Sequence, residues 1–296
     1  MVLGVVGLGL MGGSLALAAK EAGLYDLVVG YDRNTEHAQE AIERKLIDGL
    51  MPLDRLLATA DMVVLAIPVE AIVALMPDLV QTRQNATICD LGSTKTRIIE
   101  SIPPQVRARF VAAHPMAGTE YSGPAAAFKT LYRDRIVVLC DTEANTPQTL
   151  QAARSLFGGV GMQAVLMGAK EHDRHAAFIS HLPHAISYAL ANSVLSQEDK
   201  QNILTLAAGG FEDMSRLAKS SAGMWIDIFK QNRDPILDSL HIFERQFAQV
   251  VQLIERESWQ ELKEWMSSAN TLHSIFKPHP KTGATESDRP TGADAP

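Results

Sequence analysis

Val2-Leu3-Gly4-Val5-Val6-Gly7-Leu8-Gly9-Leu10-Met11-Gly12 opens the chain and decides how its first half folds. Residues 2–6 are a short apolar run closed by a turn signal, the pattern of a buried strand. Gly7 to Gly12 is G-x-G-x-x-G, and residues 11–23 read as a helix that ends at Gly23. The glycine string is weak by itself, but its surroundings are specific. A strand precedes it, a helix follows it, and a second strand at 27–31 leads into Asp32, close to the ~20-residue offset of a dinucleotide-binding βαβ unit. Gly7 permits the tight turn, Gly9 lets backbone N–H groups approach a pyrophosphate, and Gly12 lets helix and strand pack closely. Leu10 and Met11 stand at the start of that helix, where the N-terminal end offers positive potential to phosphates.

Working outward, residues 35–45 read as a helix and 62–67 as an all-apolar strand stopped by Pro68, which falls on the same cofactor edge. A helix at 69–80 follows, then strands near 86–90, 109–113 and 135–139. Continuous apolar strands separated by helices imply a parallel sheet covered on both faces. The character changes near residue 165. From Lys170 to Phe276 the sequence reads as successive helices, including 171–196, 234–255 and 258–275. The second of these carries Ile236, Leu237, Leu240, Phe243, Phe247, Val250, Val251 and Ile254 at helical spacing. The expected fold is therefore α/β. A Rossmann-type domain occupies 1–167, an all-helical domain 168–276, and residues 277–296, without apolar pattern, form a disordered tail.

The cofactor reading follows from Asp32, whose carboxylate accepts hydrogen bonds from ribose hydroxyls and repels a 2′-phosphate. That points to NAD. Arg33 beside it offers a cation to a 2′-phosphate, so NADP stays open.

Composition narrows the partners. A formal net charge of −7 argues against nucleic-acid binding, which needs a basic face. No apolar run approaches the ~20 residues of a membrane span, and the start lacks a secretory signal, so a cytoplasmic protein is expected. Cys89 and Cys140 lie in apolar, β-branched surroundings and read as buried strand residues. Four histidines, His172, His175, His181 and His184, lack the spacing of a metal motif, and no metal is expected.

Four further segments carry chemistry. They are Asp90-Leu91-Gly92-Ser93-Thr94-Lys95, then His114-Pro115-Met116-Ala117-Gly118-Thr119-Glu120 with Ser122-Gly123, then Ser180-His181-Leu182-Pro183-His184, and Gly209-Gly210-Phe211-Glu212-Asp213-Met214-Ser215-Arg216 with Trp225 beyond. In this order they resemble the motifs of the prephenate/arogenate dehydrogenases, over residues 2 to about 270. The resemblance implies oxidation at a carbinol carbon with loss of a ring carboxylate, and hydride transfer to NAD. It also implies a dicarboxylate substrate, prephenate before arogenate, and a homodimer formed through the helical half.

His114 follows a strand and so stands at the ligand edge of the sheet. A neutral imidazole there can accept the hydroxyl proton. Ser93, in a turn before a helix, can bond the substrate hydroxyl, hold His114, or cap the helix. Lys95 reads as a helix-surface lysine or as a neighbour of an anion. Arg216 suits a carboxylate, because a guanidinium pairs it bidentately. His181 and His184 share a helix face, and Pro183 should bend that helix. The resemblance assigns substrate contact to His184 and ties His184 and Glu120 to prephenate. Trp225 reads as a pocket wall or as a plain core tryptophan, Gly209 is counted with the substrate-binding residues, and Glu120 reads as either an organiser of the pocket mouth or a solvated side chain. Rival readings are a β-hydroxyacid dehydrogenase, which needs a lysine on the helical half, and a dinucleotide sensor without a proton acceptor.

Overall fold

The computed structural model describes residues 1–119 and 121–275. Glu120 and the tail expected at 277–296 lie outside the described residues. The strands are β1 Val2–Val6, β2 Leu27–Tyr31, β3 Gly49–Leu50, β4 Met62–Leu65, β5 Thr87–Asp90, β6 Phe110–Pro115, β7 Ile136–Cys140 and β8 Gln163–Met167. They form one sheet in the order β3-β2-β1-β4-β5-β6-β7-β8. From β1 the chain goes one way to β2 and β3 and then the other way to β4, which opens a crevice at the carboxyl ends of β1 and β4.

Strand side chains alternate between two buried layers, as the pleat requires. Leu3, Val5, Val64, Cys89 and Val111 pack on one face with Leu15 of α1 (Leu10–Glu21) and with Leu156 and Phe157 of α7 (Pro147–Gly159). Val6, Val63, Leu65, Ile88 and Phe110 pack on the other face. Their partners are Leu56 of α3 (Leu53–Thr59), Ile72 of α4 (Val69–Leu75), Ile98 of α5 (Thr96–Ser101) and Val106 of α6 (Pro104–Arg107). The helix α2 spans Thr35–Glu43, and the Asn34 side chain caps it by accepting from the N–H groups of Glu36 and His37. Both cysteines are free and buried.

The expectation of an all-parallel sheet is corrected at one place: β7 runs antiparallel to β6, and β8 is parallel to β7. A parallel return needs a crossover packed on the sheet face. The segment between β6 and β7 instead stays at the carboxyl edge, where its only helical element among the described residues is the short turn Pro124–Ala126. The edge strand β8, the strand β3 and the helices α3 and α7 were not legible from hydrophobic runs. The helix expected at 69–80 ends at Leu75 and continues as a 3₁₀ turn to Gln81.

Past Met167 the described chain is helical: α8 Ala169–Ala176, α9 Leu182–Leu195, α10 Lys200–Thr205, α11 Gly209–Ser215, α12 Ala222–Gln231, α13 Arg233–Glu255, α14 Trp259–Asn270 and α15 Leu272–Ile275. Between α8 and α9 runs a π-helical turn, Ala177–His181. Pro183 offers no N–H to the carbonyl four residues back, and a wider turn just before it absorbs the gap. The helix read as continuous over 171–196 is thus interrupted, one turn earlier than the proline itself.

Candidate active site

The carboxyl edge of the sheet gathers the ends of β1, β4, β5 and β6. At β1, Gly7 holds φ +94°, and a Cβ on it would stand 2.5 Å from the Ala66 carbonyl oxygen. A Cβ on Gly12 would stand 1.9 Å from the Gly7 carbonyl oxygen. Neither position tolerates a side chain. Above Gly9 the nearest atoms to a Cβ, the backbone of Gly123, are 4.0 Å away. Helix α1 begins at Leu10 with Gly9 as its N-cap. No side chain caps it and no acid stands in its first turn, so its first N–H groups are available to an anion.

Asp32 stands just after β2. Its carboxylate accepts from the N–H groups of Leu8 (2.8 Å) and Asn34 (2.9 Å), which fixes it beside the glycine turn and leaves lone pairs for further donors. Arg33 is exposed, and Pro68, also exposed, caps α4. A close-packed glycine turn, an uncapped helix start and a fixed carboxylate fit a dinucleotide.

His114 lies in β6 at the same edge. Its Nδ1 is 2.8 Å from Nε2 of His172, and Nδ1 of His172 is 2.9 Å from the Asp173 carboxylate. The same carboxylate accepts from the backbone N–H groups of Lys95 and Thr96, both at 2.8 Å. Asp173 of α8 therefore caps α5 from a distant part of the chain, and Ser93 does not. Ser93 is half-buried in the turn after β5. Asn232 donates to the Asp173 carbonyl oxygen (2.7 Å) and lies 3.0 Å from Nδ1 of His181.

Lys95 corrects the surface reading. It is fully buried, with its ammonium against the Asp90 carboxylate and 2.7 Å from the Ala113 carbonyl oxygen.

These contacts set the titration of the cluster. Burial would raise the Asp173 carboxyl, but bonds from His172, Thr96 and Lys95 outweigh it and bring it down to about 2. Burial drives His114 well below the ordinary histidine value. The neighbouring His172, Lys95 and His181 push the same way, and only Asp173 opposes them. His114 is therefore neutral and able to accept a proton at physiological pH. His181 is brought down to about 4, chiefly by burial.

On α9, His184 donates from Nδ1 to the Ser180 carbonyl oxygen at 2.9 Å. Its ring stacks on the buried Trp225, with centroids 3.6 Å apart and planes at 26°. His181 meets the same indole edge-on at 5.9 Å. The Trp225 Nε1 is buried without a hydrogen-bond partner among the described residues. Burial lowers His184, the Ser180 bond opposes that, and the charge of Arg216 lowers it further. Arg216 follows directly after α11, and both it and Gly209, at the start of that helix, are exposed. Among the described residues, no group of three His, Cys, Asp or Glu is placed to hold a metal ion.

The structure thus brings His114 to the nucleotide edge and gathers His181, His184 and Trp225 around one indole. Sequence reasoning missed His172, Asp173 and Asn232. The adjacent His172-Asp173 pair was a visible signal, since an acid beside an imidazole is how tautomers are fixed. Metal spacing alone does not bring it out.

Comparison with known proteins agrees with this layout. The family description "prephenate dehydrogenase, nucleotide-binding domain" matches residues 15–166, and "prephenate dehydrogenase, dimerization domain" matches residues 168–268. The chain is 32% identical to the prephenate dehydrogenase of Bacillus subtilis over 273 residues, covering 90% of this chain and 73% of the relative. The crystal structure of A. aeolicus prephenate dehydrogenase, solved with hydroxyphenyl propionate and NAD+, superposes with a TM-score of 0.87 at 29% identity, covering 94% of this chain and 98% of that one. Synechocystis arogenate dehydrogenase gives 0.79 at 30% identity, over 94% of this chain and 100% of that one.

Proposed function

Since the chain belongs to the prephenate dehydrogenase family, we propose that it oxidises prephenate to 4-hydroxyphenylpyruvate, with release of the ring carboxylate as carbon dioxide. The observation that carries this is His114, a neutral, desolvated imidazole on the strand edge that also holds the glycine turn. When bound, NAD supplies the hydride acceptor. Gly7, Gly9 and Gly12, with the N–H groups of Leu10 and Met11, hold its pyrophosphate, and Asp32 accepts from the adenosine ribose. The exposed Arg33 leaves limited NADP use open, and Pro68 lines the same edge.

His114 takes the hydroxyl proton as the carbonyl forms, and Ser93 orients that hydroxyl. Arg216 pairs with a substrate carboxylate. His184, steadied by Trp225 and Ser180, receives the side-chain end of the substrate, and Gly209 and Glu120 are the further candidates for substrate contact. The substrate is a small dicarboxylate, not a nucleic acid. The likeness to an arogenate dehydrogenase makes arogenate the second reading. We further propose a cytoplasmic homodimer that pairs through the helical half. Among the described residues no helix is long and apolar enough to cross a membrane.

The test is to offer the purified protein prephenate and arogenate, each with NAD+ and NADP+, and to follow reduced cofactor and aromatic product. Fast turnover of prephenate with NAD+ is expected. Turnover of arogenate alone would move the assignment to the second reading.

A further inference from the structure

The hydrogen-bond chain behind His114 can be read for where its hydrogens must lie. It starts at Asp173, which is ionised and therefore only accepts. It takes the N–H groups of Lys95 and Thr96, and its third partner is Nδ1 of His172 at 2.9 Å. Nδ1 of His172 must then carry a hydrogen. In a neutral imidazole the other nitrogen is a bare acceptor, so Nε2 of His172 accepts. Its partner at 2.8 Å is Nδ1 of His114, which must donate. That leaves Nε2 of His114 with the lone pair.

We propose that His172 and Asp173 are positioning residues for His114, fixing its hydrogen on Nδ1 so that Nε2 is the proton acceptor; this rests on the oxidation proposed above. The arrangement follows the logic of a carboxylate that holds a catalytic imidazole in one tautomer, with a second imidazole inserted between the two. The substrate hydroxyl proton moves to Nε2 of His114 as the carbonyl forms and returns to that oxygen when loss of carbon dioxide aromatises the ring, so no transfer through His172 or Asp173 is required. The imidazolium so formed keeps its Nδ1–H bond to His172, and the Asp173 carboxylate two hydrogen bonds away offsets its charge.

The apparatus is rigid by construction. His172 and Asp173 are 3% and 4% exposed. Asp173 is tied to the start of α5 through its carboxylate, and through its own carbonyl oxygen to Asn232 at the start of α13. The sheet half and the helical half therefore meet at the residue that orients the base.

Nitrogen-15 spectra of imidazole-labelled protein read the tautomer directly, with the His114 signals identified by their loss in His114→Asn. The expected result at neutral pH is a His114 ring protonated on Nδ1 and bare on Nε2. A ring protonated on Nε2, as a doubly protonated His172 would impose, overturns the proposal. Kinetics give the second readout. His172→Leu should lower kcat by roughly 10²-fold or more, with KM and NAD affinity within about 3-fold of the native values. His172→Gln should restore at least about tenfold of that loss, since its carbonyl can accept from His114 while its amide donates to Asp173. Unchanged kcat in His172→Leu, or equal damage to kcat and to NAD binding, overturns the positioning role. If the native protein turns over neither prephenate nor arogenate, the activity reading fails, and the imidazole spectrum alone decides this one.

Discussion

The ammonium of Lys95 rests against the carboxylate of Asp90 with both side chains fully shielded from solvent. The same ammonium donates to the carbonyl oxygen of Ala113, the residue before His114. A lysine held this way fastens β5 to β6 underneath the base and adds a positive charge that depresses its basicity. Removing one partner of a buried pair leaves an uncompensated charge, at a cost of about 3–5 kcal/mol. Lys95→Met should therefore lose stability on that scale in urea or guanidinium unfolding at neutral pH. Burial already raises the Asp90 carboxyl and Lys95 opposes this, so without Lys95 the carboxyl rises further. A raised folded-state carboxyl is stabilising only while protonated, so the deficit of Lys95→Met should shrink as pH falls toward acid. A loss that is small and independent of pH would contradict the buried pair.

His114→Asn should lower kcat by roughly 10²–10⁴, the usual contribution of a positioned proton acceptor, and leave NAD affinity nearly unchanged. Only the neutral ring accepts a proton, and activity is lost as pH falls through its pKa. Burial and the surrounding charges hold that pKa well below 6.5. The acid limb of kcat/KM for the native enzyme should accordingly lie below the range of an ordinary histidine. A limb at or above 6.5 would argue against His114 as the base.

His181 makes a prediction about stability. Its pKa falls from 6.5 to about 4 on folding, so between those values the unfolded chain binds more protons than the folded one. Stability is then complete above the unfolded value and declines as pH drops through this window. A fall of this size corresponds to about 3 kcal/mol once the window has been crossed. Unfolding free energies of native protein and His181→Gln, measured from neutral pH down to about 4, should differ in slope, with the variant flatter. Parallel curves would show that His181 titrates alike in both states.

The parts of this molecule that sequence made legible are those where local geometry leaves one solution. Gly7 and Gly12 had to be glycine because carbonyl groups stand within 2.5 Å of where their Cβ atoms would be, and that crowding is written into the spacing of the turn. The strands β1, β2 and β4 were legible because burial on both faces demands continuous apolar runs. The edge strand β8 carries no such demand, and β3 is only two residues long. The direction of β7 depends on where the intervening segment runs, which no periodicity encodes. At the site, His114 was legible from its motif, while its partners were not. Asp173 reaches Lys95 across 78 positions and Asn232 reaches Asp173 across 59. Lys95 was misread for the same reason: a lysine is taken as exposed unless its counter-charge is known, and Asp90 meets it only once the turn after β5 has folded.

The C-terminal half of α13 bears on assembly. Its start is well covered, with Ile236 only 4% exposed, yet Phe247 and Ile254 are 61% and 49% exposed in the single chain. Val251 lies on the same stripe and is also exposed. Apolar side chains repeating at this spacing along one helix face ordinarily pack against something, and a contiguous exposed patch of them marks an interaction surface. A two-fold partner covers such a stripe with its own copy, since the same patch serves both subunits. The expected mass by light scattering at micromolar protein is therefore twice the 32.2 kDa of one chain. Phe247→Asp combined with Ile254→Lys should shift it to 32.2 kDa, whereas Glu244→Ala, an exposed polar change on the same helix, should leave it alone. A native protein that runs as a monomer rejects the homodimer. A double variant that stays dimeric while remaining folded would mean that the pairing surface lies on another face of the helical half.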